Sequence, residues 1–356
     1  MKVAIILLGN LWVSPYVNIY KGILDAAGVH YDVILWNRDG SDAVGECVFS
    51  SGSANLKSPF TKLRYYFKYA DFIKKTVRER GYDRLIVSGP HLGILLSSLL
   101  IKEYKGRYIM DYRDLAVEQY PFLWECFEKV LANSFCNVIS SPGFRHYLPK
   151  RYEYLISHNF NIANVLDDNS VSEVTCNASL PIDILTIGYI RNYSSNLKVL
   201  TALANNNAYR LSFVGRGDAA EKLKDYAADN EIKNVSFSGF YKKEQEGAFV
   251  RNCSIINIFF PTDAEHSTIM SNRFYLALLH KRPVIVTDGS TQAEFVREYN
   301  LGVVTDKDCC NLDAQILSFM QKFDYSAFCE RCNALLAKFV EDYRVLESRV
   351  RMFVQK

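Results

Sequence analysis

Two short turns place an arginine beside glycine at the ends of consecutive apolar runs. In the first, Ile182, Ile184, Leu185 and Ile187 lead to Gly188-Tyr189-Ile190-Arg191; in the second, Leu211 to Val214 leads into Gly215-Arg216-Gly217. A guanidinium is a permanently charged fork of donors that matches phosphate oxygens, and neighbouring glycines let backbone N–H groups approach a ligand closely. That is the chemistry of a diphosphate site. Either turn alone also reads as a solvated arginine beside a glycine that only makes the bend; the coincidence of both on consecutive runs favours binding.

The residues between the turns position them. Leu197, Leu200, Leu203 and Ala204 recur on one helical face, Ser194 or Ser195 can cap that helix, and Asn205-Asn206-Asn207 ends it. Strand, helix and strand form a βαβ unit, whose parallel connection puts both turns on the carboxyl edge of a sheet, where open α/β folds bind ligands.

The same grammar fills the chain. A strand from Val3 to Leu8, a helix from Pro15 closed by Gly28, and a strand from Tyr31 to Trp36 open it. Their turn, Gly9-Asn10-Leu11-Trp12, is no GxGxxG, which argues against a dinucleotide cofactor. Residues 37–59 are rich in Ser, Gly and Asp and read as a long loop. A helix over 59–80 follows, then strands whose carboxyl ends carry His91, Asp111-Tyr112-Arg113-Asp114, Ser140-Ser141-Pro142-Gly143 and His158-Asn159, with a helix containing Leu95, Leu96, Leu99 and Leu100 after the first of them. Periodicity lapses over 161–180. The expected organisation is a first domain over 1–165, a linker over 166–180, a second domain over 181–340 and a closing helix over 341–356. In the second half Asp218 with Glu221, and Thr291 with Glu294, read as capping boxes, and a strand from Pro283 to Thr287 stops at Asp288-Gly289-Ser290.

Composition narrows the class. A chain of 356 residues, 49% hydrophobic and 23% charged, fits two globular domains, because single cores stop growing near about 250–300 residues. A net charge of +3 is too small to make nucleic acid the main partner. The opening apolar run is short, interrupted by Gly9 and Asn10, and lacks a small-residue cleavage site, so it reads as a strand and the expected location is cytoplasmic. Nine cysteines then read as buried small hydrophobes or free thiols. The single CxxC, Cys329 with Cys332, has no second pair and is no zinc site.

Several stretches resemble the GT-B glycosyltransferases, specifically the family four (group 1) retaining enzymes that build bacterial capsule and lipopolysaccharide. They are GYIR at 188–191, VGRG at 214–217, SGFY at 238–241, FFPTDAEHSTIMSNRFYLALLHKRPVIVTDG at 259–289 and NLGVV at 300–304, with DYRDL at 111–115 and SSPGFRHYL at 140–148 in the first half. The resemblance implies two doubly wound Rossmann-like α/β domains facing across a cleft. It also implies transfer of a hexose-type sugar, with retention, from a nucleotide-diphosphate donor to a glycan or lipid-linked acceptor. On the donor side it implies Gly188, Arg191 and Arg273 at the diphosphate, with Arg273 standing where the family usually has Lys and Asn272 beside it. Arg216 is their neighbour, Gly239, Phe240 and Tyr241 border the base, and Gly289 and Ser290 border the diphosphate. Glu265 matches the first of the family's paired glutamates once three residues are inserted. The second, which usually holds the ribose, is replaced by Leu276.

In related enzymes a first-domain histidine contacts the transferred sugar, so His91 admits that role or a structural one at a helix start. Asn10, Asp111, Arg113 and Asp114 are the acceptor-side candidates, although the two acids and Arg113 can equally pair with one another in a turn. The scheme needs no cofactor and no metal, since arginines take the charge of the leaving diphosphate. A sugar-nucleotide 2-epimerase of the same fold and a non-catalytic sugar-nucleotide binding protein remain alternatives. Finally, over 59–80 Phe60, Leu63, Phe67, Ala70 and Ile73 repeat at helical spacing among Lys62, Arg64, Lys68, Lys74, Lys75, Arg78 and Arg80. The expectation is an inward apolar stripe with a basic edge toward an anionic membrane surface, at the inner face of the plasma membrane.

Overall fold

A computed structural model describes residues 1–38, 40, 45–52, 58–116, 120–160, 165 and 180–355. Most of the expected linker, 166–179, lies outside the described residues. The chain divides into two compact units, Met1–Asn159 with Glu341–Lys356, and Phe160–Val340.

Alternating short apolar runs and helices give each unit one parallel sheet. In the first unit β1 (Lys2–Ile6), β2 (His30–Asn37), β3 (Cys47–Ser50), β4 (Arg84–Ser88), β5 (Tyr108–Tyr112), β6 (Cys136–Ile139) and β7 (Tyr154–Ile156) lie in the order β3-β2-β1-β4-β5-β6-β7. In the second, β8 (Ile182–Ile187), β9 (Tyr209–Val214), β10 (Val235–Ser238), β11 (Ile255–Ile258), β12 (Val284–Thr287) and β13 (Gly302–Thr305) lie in the order β10-β9-β8-β11-β12-β13. Both sheets are doubly wound, and the strand order reverses at β1 and at β8. Ligands of such folds bind outside the carboxyl ends at that reversal, which is where β8 delivers Gly188 and Arg191.

Three elements differ from the sequence reading. The loop expected over 37–59 contains β3, which pairs with β2 from Ile34 opposite Cys47 to Asn37 opposite Ser50; four residues are too few for periodicity to register. The helix expected around Leu95 is two, Pro90–Leu95 and Ser97–Lys102. The closing helix is 31 residues long, Tyr325–Gln355, and its first half belongs to the second unit.

The helix Pro59–Arg80 matches its expected span, but its apolar stripe does not all turn inward. Tyr69, Ala70, Ile73, Thr76 and Val77 are buried, and Trp36 is fully enclosed by rings that include Phe49, Tyr65, Tyr66 and Tyr69. Phe60, Leu63 and Phe67 are 87%, 55% and 56% exposed. Length explains the difference. Twenty-two residues make a helix of about 33 Å, whereas the eight of β2 and the four of β3 reach only about 26 and 13 Å, so the first turns overhang the sheet.

At the opposite edge Asp32 joins β1, β2, the end of the long helix and the loop after it. It accepts from Tyr82 Oη at 2.6 Å and pairs with Lys2 Nζ at 3.0 Å and Arg80 Nη1 at 3.1 Å. Burial pushes this carboxyl up, but the hydrogen bonds from Tyr82, Lys2 and Arg80 prevail and hold it at about 2. A depressed folded-state value stabilises above the unfolded value of 3.8 and the gain is lost as pH falls through about 2. The shift corresponds to roughly 2 kcal/mol at neutral pH. Urea unfolding should therefore show Asp32→Asn less stable than wild type at pH 7, with the gap closing between pH 4 and 2; a gap independent of pH would contradict the ion-pair account.

Candidate functional site

The two arginine turns are locked to each other by their backbones. Gly188 N donates to Val214 O at 2.9 Å, Ile190 N to Arg216 O at 2.8 Å and Ala219 N to Ile190 O at 3.2 Å. A Cβ on Gly215, whose φ is +132°, would lie 1.9 Å from Gly188 O, and one on Gly217 would lie 2.1 Å from Ile190 O. These two glycines therefore exist first so that the turns can touch; the arginines are held at fixed spacing as a result. Helix capping here differs from expectation. Asn192, in the left-handed region at φ +57°, precedes the helix Tyr193–Ala202, so neither Ser194 nor Ser195 caps it. Asp218 makes no capping box either, because it accepts from Tyr189 Oη.

Arg273 comes to the same place from the helix Asn272–Leu279, whose start is fixed by Ser271 Oγ accepting from Arg273 N at 3.2 Å. Its guanidinium donates from Nε to Ile187 O and from Nη2 to Tyr189 O at 3.1 Å, the carbonyls that flank Gly188. Burial and the nearby positive charge of Arg191 push its pKa down to about 10, while Tyr241 pulls the other way. Among the described residues no carboxylate pairs with Arg273, Arg191 or Arg216. Arg191 lies 5.1 Å over the Tyr189 ring and Arg216 4.6 Å over the exposed Phe240 ring. Two guanidiniums close enough to repel, Arg191 and Arg273, with no acid among the described residues paired to either, gain by receiving an anion.

A second device was not read from the sequence. Asp263, which caps the helix Ala264–Thr268, accepts from His266 N at 2.9 Å, and its carboxylate lies 2.7–2.8 Å from His266 Nδ1. Burial raises the Asp263 carboxyl, and the donors of His266 overcome that and lower it. With Nδ1 donating, Nε2 accepts from Asn192 Nδ2 at 3.0 Å. Asn196 Nδ2 holds Arg191 O and Asn192 O. The residue after Arg191 is thus anchored through an imidazole to an acid on the β11 loop. The signal available was the spacing of Asp263 and His266, an N-cap with histidine at its third helical position.

The remaining donor-side residues divide. Glu265 is exposed in the first turn of the Ala264–Thr268 helix, and Asn272 is exposed beside Arg273. Tyr241 Oη donates to Glu246 Oε1 at 3.0 Å and stands near Gly188; Gly239 and Phe240 precede it on the β10 edge. The donors expected of Gly289 and Ser290 are already used. Gly289 N donates to Asp288, itself 2.7 Å from Arg297; Ser290 Oγ donates to Thr287 O at 2.7 Å and accepts from Ala293 N at 3.1 Å. Ser290, one residue before the expected Thr291, is the actual cap. Leu276 packs against the hydrophobic core.

In the first unit His91 is exposed in the first turn of Pro90–Leu95, with its ring stacked on Tyr66 at 5.8 Å. Asp111 and Arg113 correct the acceptor-side reading: Asp111 is 0% exposed and lies 2.9 Å from Arg113 Nε, and Arg113, also buried, donates to Ser157 O and Oγ. A pair packed this way ties β5 to the end of β7 and offers nothing to solvent. Asn10 is buried too, donating to Asn37 Oδ1 at 3.4 Å, whereas Asp114 is exposed.

Solved structures match over nearly the whole chain. Sucrose-phosphate synthase from Thermosynechococcus elongatus is 15% identical and superposes with a TM-score of 0.65, covering 97% of this chain and 99% of its own. The lipopolysaccharide outer core galactosyltransferase WaaB reaches 0.67 at 12% identity and covers 100% of both chains. The fold is GT-B. HepE of Anabaena, in complex with UDP and glucose, gives 0.59 at 13% identity over 95% of this chain and 100% of its own. No family model and no curated protein matches the sequence.

The buried pair gives a stability test. Removing one partner of a buried ion pair costs about 3–5 kcal/mol because the other charge is left stranded. Asp111→Asn should lower unfolding free energy by that amount in denaturant titration, while Asp114→Asn, at an exposed residue, should cost less; equal small effects would return Asp111 to the surface.

Proposed function

We propose that the protein transfers a hexose-type sugar from a nucleotide-diphosphate donor to a glycan or lipid-linked acceptor in bacterial surface polysaccharide synthesis, with retention of configuration and without a metal. The observation that carries this reading is the Arg273 guanidinium, oriented by the carbonyls of Ile187 and Tyr189 beside Arg191, with no acid among the described residues paired to either. The structural likeness to HepE, which holds UDP and glucose, supports a nucleoside diphosphate at that place. In this scheme Arg273, Arg191 and Arg216 stabilise the charge that develops on the leaving diphosphate. Phe240 and Tyr241 border the base. Glu265 and His91 are each exposed, and contact with a sugar hydroxyl is the role proposed for each. Leu276 in the core leaves the ribose without the acid it usually meets, which favours a second reading, a protein that binds sugar nucleotides without turning them over.

Calorimetry separates these. A charged hydrogen bond contributes about 1.5–3 kcal/mol, so Arg273→Ala and Arg191→Ala should each weaken UDP binding roughly 10- to 100-fold. Wild-type protein should also hydrolyse a nucleotide sugar slowly, in the presence of EDTA. Binding without hydrolysis of any donor would leave the binding-protein reading, and no binding would remove the site.

The acceptor belongs to a lipid surface in this proposal. Phe60, Leu63 and Phe67 project with exposed Lys62, Arg64 and Lys68 from the overhanging end of Pro59–Arg80. Trp12, exposed after β1, and Phe122, exposed after β5, share that sheet edge. The basic residues farther along are engaged, Lys74 with Asp71, Lys75 with Glu79 and Arg78 with Glu103, so the contact falls on the first turns. No helix among the described residues is long and apolar enough to cross a membrane. Each Lys or Arg near an anionic leaflet contributes about 1 kcal/mol. Vesicles containing phosphatidylserine should sediment the protein, neutral vesicles should not, and replacing Phe60, Leu63 and Phe67 with Ser should release it without changing UDP affinity. Equal recovery with both vesicle types would reduce the patch to a solvated surface.

A further inference from the structure

Within the second unit a cavity of about 530 Å³ opens along the edge strand β13, three strands away across the sheet from β8 and its arginine turn. Its volume lies in the range of about 300–1,000 Å³ typical of small-molecule sites. β13 is an edge strand, and Leu301 O and Thr305 O accept from Val284 N and Asp288 N across β12. The alternation along a strand therefore turns the peptide groups of Gly302 and Val304 to the free edge, into the lining of the cavity.

The other walls come from the helix Leu312–Gln321 with the residues just after it, and from the first turns of Tyr325–Gln355. They bring two cations, Lys322 and Arg331, and the lining contains no Asp or Glu. Neither cation has an ion-pair partner among the described residues. Arg331 Nε and Gln315 Oε1 are buried without a hydrogen-bond partner. Phe319 and Phe323 supply an apolar wall, their rings 5.6 Å apart and inclined at 46°. Unpaired cations and unsatisfied polar atoms around an aromatic wall are a concentrated demand for an anion with an apolar body.

We infer that this cavity is a binding site for a small anion, a phosphate or carboxylate carried on a flat apolar group, with Arg331 and Lys322 taking the charge and Phe319 and Phe323 the apolar face. An acidic peptide added to the β13 edge fits less well. The strand has four residues, only two of them facing outward, and Asp306 follows directly. The assignment stands apart from the nucleotide reading, since it shares no residue with it.

The full chain is titrated by calorimetry with phenyl phosphate, benzoate and inorganic phosphate, after UDP has been added to occupy the arginine turns. Phenyl phosphate or benzoate should bind with millimolar or better affinity, and whichever is tighter identifies the headgroup. Arg331→Gln and Lys322→Gln should each weaken that binding about 10-fold while leaving UDP affinity within twofold of wild type. Ser318→Trp, placed to fill the cavity, should abolish it; thermal unfolding checks that this variant is folded, and the two Gln variants decide the matter if it is not. If UDP fails to bind, the nucleotide reading falls, and the same titrations are made in an Arg273→Ala background, where the cavity is read by itself. No binding to wild type, equal affinity in wild type and Arg331→Gln, inorganic phosphate binding as tightly as phenyl phosphate, or binding of an acidic peptide in place of all three would each overturn the assignment.

Discussion

One guanidinium organises the carboxyl edge of the second sheet. Arg273 spends two donors on the carbonyls of Ile187 and Tyr189, which fixes its plane and leaves its charge uncompensated. Those same carbonyls flank Gly188, whose N–H is committed to Val214. The arginine, the first turn and the second turn are therefore one rigid body, and Arg191 and Arg216 inherit their spacing from it. A lysine in place of Arg273 would carry rotating donors on a single nitrogen, so the fixed plane that holds both carbonyls would be lost.

The fold was legible because every strand is short, apolar and followed by a polar tip, and parallel connection sends all those tips to one edge. Which tips face solvent was not legible. Asp111 and Asp114 are three residues apart with similar neighbours in sequence, yet β5 continues through Tyr112 and carries Asp111 inside, where Arg113 meets it. Capping was misread where a side chain had a better offer: Asp218 is taken by Tyr189, and Ser290 precedes the expected Thr291. The Asp263-His266-Asn192 chain escaped notice because Asn192 and His266 are 74 residues apart and no local pattern links them. The exposed end of Pro59–Arg80 is a matter of length relative to the strands beneath, a quantity that helical periodicity does not contain.

The two ends of the first sheet divide the labour of its unit. At the amino edge Asp32 collects Lys2, Arg80 and Tyr82, so β1, β2 and the end of the long helix are fastened where no ligand is proposed. At the carboxyl edge Arg113 is buried against Ser157 and 4.0 Å over the Tyr16 ring. That pairing lies inside the fold, whereas His91 and Asp114 at the same edge are exposed.

The helix Tyr325–Gln355 gives the chain an order of assembly. Phe328, Cys332, Leu335, Leu336 and Phe339 complete the core on one face of the second sheet, while Leu346, Val350, Phe353 and Val354 complete a core of the first. His158 at the β7 tip also waits for Asp342, 184 residues later and 2.9 Å away. A ribosome delivers the seven strands of the first unit long before those residues, so its nascent sheet must persist with an uncovered apolar face while the entire second unit is made. Completion of the first unit therefore follows synthesis of the second, and loss of Leu346, Val350, Phe353 and Val354 would damage the half of the protein farthest from them in sequence.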